Sequence, residues 1–439
     1  MVQKTRDLIS SLDFMNRHKT NSQAFTRKRF FKFEIVCVML LQKTLKSIQL
    51  HLHALTHQLE LLGGKTINSV SCGAWTRARA KLKHTAFIEL NEAVILKEFY
   101  RSNLVRRFKG YRLVGIDGSV VALPPSQAIF EQLGQETSSN QNADCSKTYA
   151  QAQCSVLYDL LNQLSLKARF EPYRTSEVSQ AQKLCESLKP KDLVLADRGY
   201  ASAPFMSCVI AQGADFIVRL PRNSFKQSQA LFTTKKPGKS IVTEVVVQDN
   251  TIGRPRGEVI RVRFISVDIP GTGEREVIAT SLLDEKAFPS KLFAELYHQR
   301  WGIETYYHQL KNRLDLENFS GRSVQSVYQD FYAMLFISNY ETILTGPARR
   351  ELEQAKSKHK TKADPLPKAI NHSVSYHLIK EHALELFFSS LPQDILVSKL
   401  TELFQMNPHS KRNRGPTPQN NTSDKTSARF RKQIRKITF

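Results

Sequence analysis

Between Tyr297 and Lys311 the sequence YHQRWGIETYYHQLK sets one acid, Glu304, among Tyr297, Arg300, Lys311 and the ring of Trp301. That mixture suits the handling of phosphate: a carboxylate can hold a divalent cation while arginine, lysine and a phenol hydroxyl grip neighbouring phosphate oxygens. The spacing predicts a single helix over Pro289 to Leu314. Each helical residue advances 100°, so relative to Tyr297 the residues Arg300, Glu304 and Lys311 fall at about −60°, −20° and −40°, with His308 at about +20°. Leu296, Ile303, Tyr307, Leu310 and Leu314 form a stripe centred near −110°, the packing side. Tyr306 and Tyr307 read as packing residues. The bland alternative is that Arg300 and Glu304 satisfy each other as an i, i+4 ion pair.

Two further acids alter that balance. Asp117 follows the apolar run Tyr111 to Ile116 and precedes Gly118; Asp197 follows Leu193 to Ala196 and opens Asp-Arg-Gly-Tyr. Open α/β sheets present catalytic groups at the carboxyl ends of strands, although capping is the ordinary role of an acid there. Two strand-end aspartates and one helical glutamate make a carboxylate cluster for Mg²⁺, which prefers oxygen ligands and keeps several waters. Two such ions can activate an attacking oxygen and stabilise a leaving oxygen across one phosphorus, the chemistry of phosphodiester cleavage or transfer. Asp192 and Asp215 sit at strand starts and are set aside, as is a zinc-like set, His51, His53, His57 and Glu60, that has no nearby cysteine.

The elements that must position these acids are legible as patterns. Residues 1–107 are helical and basic: Glu34 to Leu62 has helical periodicity, ends at Gly63-Gly64, and precedes a helix from Ala74 onward with Arg77 and Arg79. Helix, glycine turn, basic helix is the order of a helix-turn-helix DNA reader, which would give those arginines to phosphates and base edges. Strands follow at Tyr111 to Ile116, Tyr149 to Tyr158 and Leu164 to Phe170, the last two joined as a hairpin through Leu161 to Gln163. A helix over Glu177 to Leu188, a strand over Leu193 to Ala196 and a strand over Phe216 to Leu220 complete a mixed α/β order. Residues 221–283 read as a small inserted all-β unit with Gly and Pro turns, and helices follow over Val324 to Leu344 and roughly Lys368 to Phe404. This gives a helical domain over 1–107, an α/β domain over 108–345, a helical region over 346–406 and a basic disordered tail over 407–439.

Charge narrows the partner. Sixty-four Lys and Arg against forty Asp and Glu leave a net charge of +24 on 439 residues, which points to a polyanion, nucleic acid before an acidic membrane surface. No apolar run approaches a membrane span and the amino terminus lacks the apolar middle of a signal peptide, so the expected setting is the cytoplasm, with the nucleoid, and no membrane. The six cysteines show no paired short spacing and read as reduced, mostly buried thiols.

Tyr297, Arg300, Glu304 and Lys311 match the Y-x2-R-x3-E-x6-K signature of bacterial insertion-sequence DDE transposases, and Trp301 stands where a tryptophan commonly follows that arginine. VGIDGSVVALP around Asp117 and LADRGY at Asp197 resemble the family's first and second aspartate motifs; LHLHAL and WTRARAKL resemble its helical DNA-binding region. The resemblance covers about Lys109 to Leu344. It implies a ribonuclease H-like core with a β-rich insertion, and Asp117, Asp197 and Glu304 as the metal triad for two Mg²⁺ ions, with Mn²⁺ as a substitute. It also implies a cut-and-paste transposase that binds double-stranded DNA as a synaptic homodimer. Such an enzyme nicks element ends, forms and opens a hairpin, and joins the ends to target DNA. One departure bears on the hairpin: relatives often stack a flipped base on a tryptophan of the insertion, whereas Trp75 and Trp301 are the only tryptophans here, leaving Phe225, Phe232 or Phe264 as substitutes. The alternatives are a DNA-binding repressor or catalytically silent descendant, and a structure-directed nuclease without joining activity.

Overall fold

The structure, a computed structural model, describes residues 1–27, 29–43, 47–64, 66–138, 147–234, 236–248, 257–268, 275–358, 368–389 and 391–410. The amino-terminal region is built from helices α1 (Val2–Ile9), α2 (Leu12–His18), α3 (Phe33–Gln42), α4 (Ile48–Gly63), α5 (Cys72–Arg79), α6 (Thr85–Leu90) and α7 (Lys97–Arg101), the last two joined by a π-helical turn over Asn91–Leu96. The stretch read as one helix from Glu34 to Leu62 is therefore two. α4 stops at Gly64, whose φ of 62° lets its N–H reach the Glu60 carbonyl. Ser71 caps α5 by accepting from the Ala74 N–H.

The sheet contains β1 (Arg112–Ala122), β2 (Gln135–Ser138), β3 (Lys147–Asp159), β4 (Leu164–Pro172), β5 (Asp192–Ala196), β6 (Asp215–Arg219), β7 (Ser240–Val246), β8 (Val259–Asp268) and β9 (Arg275–Thr280). Its order is β2-β3-β1-β5-β6-β9-β8-β7, with β4 also on β3. The β1–β5 and β5–β6 pairs are parallel, and the β3–β4 hairpin is as read from the sequence. Two readings are corrected. β1 does not end before Asp117: it continues through β-branched Val120 and Val121 and pairs with β3 throughout, Asp117 opposite Val156. Its pairing with β5 stops at Gly115 opposite Leu195, so Asp117 lies just beyond the end of its parallel neighbour. Nor do the strands of 221–283 form a separate unit. β9 pairs antiparallel with β6, Ile217 opposite Thr280, and β8 and β7 extend the sheet from there. The exposed edge of β6 needed a partner for its backbone groups, and β9, with Val277, Ile278 and Ala279 fully buried, supplies it.

Helices cover both faces. After α8 (Gln127–Leu133), helices α9 (Glu177–Cys185) and α10 (Ala203–Ala211) pack Ala181, Leu184 and Phe205 against Val114, Ile116, Val194 and Ala196. Beyond α11 (Gln229–Phe232), helices α12 (Leu292–His298), α13 (Trp301–Asn312) and α14 (Val324–Leu344) bring Phe293, Ile303 and Leu310 against Leu113, Leu193 and Leu195 on the other face. A bidentate pair fixes the parallel register: Arg112 donates from Nε and Nη2 to Asp192 Oδ1 and Oδ2 at 2.7 and 2.6 Å. Asp192 is thus a structural acid.

The carboxy-terminal helices α15 (Gly346–Lys358), α16 (His372–Glu381), α17 (Ala383–Phe388) and α18 (Gln393–Met406) return to the amino-terminal ones. Gln42 donates to the Lys380 carbonyl at 3.2 Å and Arg6 to the Leu386 carbonyl at 2.5 Å. His409 and Ser410 pair with Lys368 and Ala369, and the rest of the proposed tail, 411–439, lies outside the described residues. Among the described residues no helix is long and apolar enough to cross a membrane.

Arg79 is not available to DNA. It is 5% exposed and ties α5 to α14, pairing with Asp330 at 2.7 Å and donating to Gln329 Oε1, Ser320 Oγ and the Ser326 carbonyl. Arg77, two residues earlier, is exposed. Removing one partner of a buried pair strands the other, here Asp330 at 1% exposure, at a cost of about 3–5 kcal/mol. Arg79→Met should therefore lower the urea midpoint sharply while Arg77→Ala leaves it in place; equal midpoints for the two variants would refute the structural role.

Candidate active site

Three elements from distant parts of the chain deliver the acids. Asp117 projects from β1 on the face covered by α13, and its Oδ1 accepts from the Gly118 N–H at 2.9 Å. Asp197 follows β5 and caps a 3₁₀ turn over Arg198–Tyr200, its Oδ1 accepting from the Gly199 N–H at 2.8 Å. Glu304 stands in the first turn of α13.

α13 is fastened to β1 rather than merely packed on it. The Tyr307 hydroxyl donates to the Asp117 carbonyl at 2.9 Å, and Lys311 Nζ to the Val120 carbonyl at 2.6 Å. Close approach is possible because Gly115 and Gly302 face the contact. A Cβ on Gly115 would lie 3.0 Å from Leu160 Cδ2 and 3.3 Å from Ile303 Cβ, and one on Gly302 would lie 3.1 Å from the same Leu160 atom. Lys311, expected to grip phosphate, is thereby a positioning residue; its ammonium also stands 3.7 Å from Glu317.

The single helix predicted over Pro289 to Leu314 is broken. Between α12 and α13 the chain tightens to i→i+3 bonding, with Arg300 N–H on the Tyr297 carbonyl and Gly302 N–H on the Gln299 carbonyl. Angles counted from Tyr297 do not survive that break; the alignment of Glu304 with Lys311 does. Tyr297 and Arg300 turn inward, 7% and 5% exposed, and the Arg300 guanidinium lies 5.6 Å from the Tyr297 ring and 5.5 Å from the Trp301 ring. Trp301 itself is half-exposed. Arg300 Nη2 donates to Glu304 Oε1 at 2.6 Å, the ion pair foreseen as the bland alternative. The Tyr297 hydroxyl and Arg300 Nε are buried without a hydrogen-bond partner among the described residues.

Electrostatics shows that the acids share one environment. The Asp117 carboxyl is pushed up to about 7, first by desolvation, then by the charges of Asp197 and Glu304, against the opposing pull of the Gly118 N–H and Arg300. A donor set of three carboxylates, one of them starved of counter-charge, fits a hard divalent cation in kind. Their placement is looser: among the described residues no three His, Cys, Asp or Glu side chains stand together closely enough to hold one ion. Glu304 is held toward Arg300 instead.

Sequence reasoning missed Tyr307 as a strap, reading it as packing alone, and passed over Tyr200, buried at the end of the turn that Asp197 caps, and the Gln153–Glu177 hydrogen bond beside Gly118. Tyr200 stood in view in Asp-Arg-Gly-Tyr; Gln153 and Glu177 carried no local signal. Tyr306 is packing as read, stacked on Tyr158 at 4.3 Å. Of the phenylalanines offered for base stacking, Phe264 is fully buried in the sheet and unavailable, while Phe225 and Phe232 pack partly against the same core. Glu60 is used locally, accepting from the Ile67 N–H at 2.7 Å. Cys37, Cys154, Cys185 and Cys208 are buried thiols in no disulfide among the described residues, and Cys72 is half-buried; Cys145 lies outside the described residues.

Two aspartates and a helical glutamate thus stand on β1, at the end of β5 and on α13, and the family follows from the chain itself. Residues 108–340 match the transposase DDE domain, more than half of the sequence, and the chain belongs to that family. It is 23% identical over 232 residues to "Transposase InsG for insertion sequence element IS4" of Escherichia coli (strain K12). That match takes in 52% of this chain and 51% of the relative, so the chain spans about half the length of the curated relative it matches. The solved piggyBac transposase synaptic complex with hairpin DNA overlays 98% of this chain and 89% of its own at 10% identity and a TM-score of 0.45, a likeness too weak to bear on fold or mechanism.

The raised Asp117 carboxyl has a thermodynamic consequence. An acid whose folded pKa lies above its unfolded value loses stability as pH rises from about 4 to about 7 and keeps the penalty above that. In EDTA, Asp117→Asn should raise Tm at pH 8, with the gain shrinking toward pH 4; a gain that does not depend on pH would contradict the shared acid environment.

Proposed function

We propose that this protein is a cut-and-paste DNA transposase whose ribonuclease H-like core uses Asp117, Asp197 and Glu304 to bind divalent metal ions and cleave and rejoin DNA. The observation that carries the reading is the placement of these acids on three neighbouring elements, β1, the end of its parallel partner β5, and α13 bonded to β1, in a chain of net charge +24. Bound among them, Mg²⁺ or Mn²⁺ would supply Lewis-acid chemistry, polarising a phosphodiester and lowering the pKa of an attacking water or 3′-hydroxyl. The chain's own residues would do the rest. Asp117 is fixed in place by the Tyr307 and Lys311 straps. Arg300 holds Glu304 until metal and DNA arrive, then exchanges the carboxylate for a DNA phosphate, with its buried Nε and the Tyr297 hydroxyl turned to the same partner. Half-exposed Trp301 offers a surface for a base or sugar, and exposed Arg77 a phosphate contact on the amino-terminal helices. The partners are the double-stranded inverted-repeat ends of its own element and target DNA, brought together by a homodimer through a hairpin intermediate, in the nucleoid.

A specific observation favours a second reading. The Arg300–Glu304 pair and acids that do not converge are also what a silent descendant, retained as a DNA-binding repressor, would display.

With DNA from the borders of the element, Asp117→Asn, Asp197→Asn and Glu304→Gln should each reduce Mg²⁺-dependent cleavage of the ends to background while end binding persists. Normal cleavage by any one variant would remove that residue from the triad. A wild-type protein that binds the ends yet never nicks them with Mg²⁺ or Mn²⁺ would establish the repressor instead.

A further inference from the structure

The amino-terminal arginines expected on DNA are only partly free for it: Arg77 is exposed and Arg79 is buried. Beside them the loop that joins α2 to α3 folds over the end of α5. Its start is stitched there, the Thr20 N–H donating to the Lys81 carbonyl at 2.9 Å, the Lys83 N–H to the His18 carbonyl at 2.7 Å, and Lys19 bridging antiparallel to Leu82. Its end is pinned by buried Phe31, whose ring lies 5.6 Å from that of Trp75 on α5. Between the two anchors the chain turns tightly. Asn21 Oδ1 accepts from the Gln23 N–H at 3.1 Å, and Thr26 Oγ1 donates to the Gln23 carbonyl at 2.9 Å. Phe25 holds a left-handed backbone, φ 60°, with its ring edge-on to Phe33 at 5.4 Å. So bulky a residue keeps that φ only where its surroundings over-determine it, which makes this loop a fixed shape.

The loop and the end of α5 enclose a cleft of about 440 Å³, lined from buried Phe31 out to half-buried Lys81 and exposed Arg27 and Arg29. No acid lines it, and among the described residues the side chains of Arg27, Arg29 and Lys81 make no hydrogen bond or ion pair. Other cations of the same region are answered, Arg17 by Glu89 and Lys4 by Glu98. Three unanswered cations around one concavity raise its potential, and the low-dielectric wall behind them focuses that field on an anionic partner.

We propose that this cleft seats the phosphodiester backbone of duplex DNA, with Arg27, Arg29 and Lys81 pairing with neighbouring phosphates and the exposed Asn21 and Gln23 amides donating beside them. The inference rests on the DNA reading above. Phosphates are alike at every base pair, so the cleft would fix the position of the duplex without reading its sequence. Each phosphate neutralised releases counterions, which makes the contact measurable through salt.

The test measures binding of the full chain, in EDTA and across a salt series, to a duplex from the element border and to an unrelated duplex of equal length, by fluorescence anisotropy. Each of Arg27→Gln, Arg29→Gln and Lys81→Gln should flatten the slope of log K against log salt by about 0.9, the share of one phosphate, and weaken both duplexes about eightfold at about 0.1 M salt. Unfolding midpoints should hold, because these side chains bond to nothing in the fold. Lys189→Gln, at an exposed cation before β5, tests loss of charge alone and should keep the wild-type slope. Flattening by two of the three cleft variants supports the cleft and drops the third residue. Wild-type slopes in two or more of them, equal flattening in Lys189→Gln, or a loss confined to the border duplex would overturn the proposal. So would intact DNA binding with lost binding to phosphatidylserine vesicles, which gives the cleft to a membrane surface. A wild-type chain that binds neither duplex removes the DNA reading itself, whereas wild-type binding retained by the variants removes only the cleft.

Discussion

Everything around the acids depends on how closely α13 can lie against β1. Two glycines, Gly115 on the strand and Gly302 on the helix, leave the room, and any side chain at either would meet Leu160 or Ile303 within contact distance. Tyr307 and Lys311 then hold the helix to strand carbonyls three residues apart, one turn and two turns beyond Glu304. Because both straps spring from the face that carries Glu304, the glutamate's height above the strand is fixed by bonds to the residue it must meet, Asp117. The helix break at Gln299 and Arg300 belongs to the same constraint. It frees α13 from the direction of α12 and turns Arg300 inward, where its guanidinium lies over Tyr297 and reaches Glu304.

The resulting site is poor in positive charge inside a chain that is rich in it. Among the described residues Arg300 pairs with Glu304, while Asp117 is pushed toward protonation by burial and by its two neighbours. The surplus of lysine and arginine therefore cannot be explained by the needs of the acids, and a polyanion outside them remains its physical rationale. Burial first, and then the charges of Asp197 and Glu304, push the Asp117 carboxyl up to about 7, while Glu304 rests on Arg300.

What was legible in the sequence was what lies within one element. Asp197 at the end of an apolar strand, the β3–β4 hairpin, the helix over Val324–Leu344 and the seven-residue step from Glu304 to Lys311 all follow from periodicity and turn chemistry, which act locally. The misreadings share a different physics. Arg79 looked like a free arginine on a basic helix because its partner, Asp330, is 251 residues away. Lys311 looked like a phosphate ligand because the carbonyl that captures it belongs to a strand 191 residues earlier. The segment over 221–283 looked self-contained because its strands alternate normally, and nothing local reveals that β9 will pair with the open edge of β6. Pattern reports which face of an element is apolar; it does not report what will cover that face.

The span between Asp117 and the strap at Tyr307, 190 residues, also sets a schedule. During synthesis the two aspartates emerge and can fold on β1 and β5 long before α13 leaves the ribosome, so a nascent chain holds an incomplete set of acids. Glu304 arrives only when the sheet has been extended through β9 and the helix has docked. Late docking of α13 thus ties the gathering of the three acids to the completion of the fold.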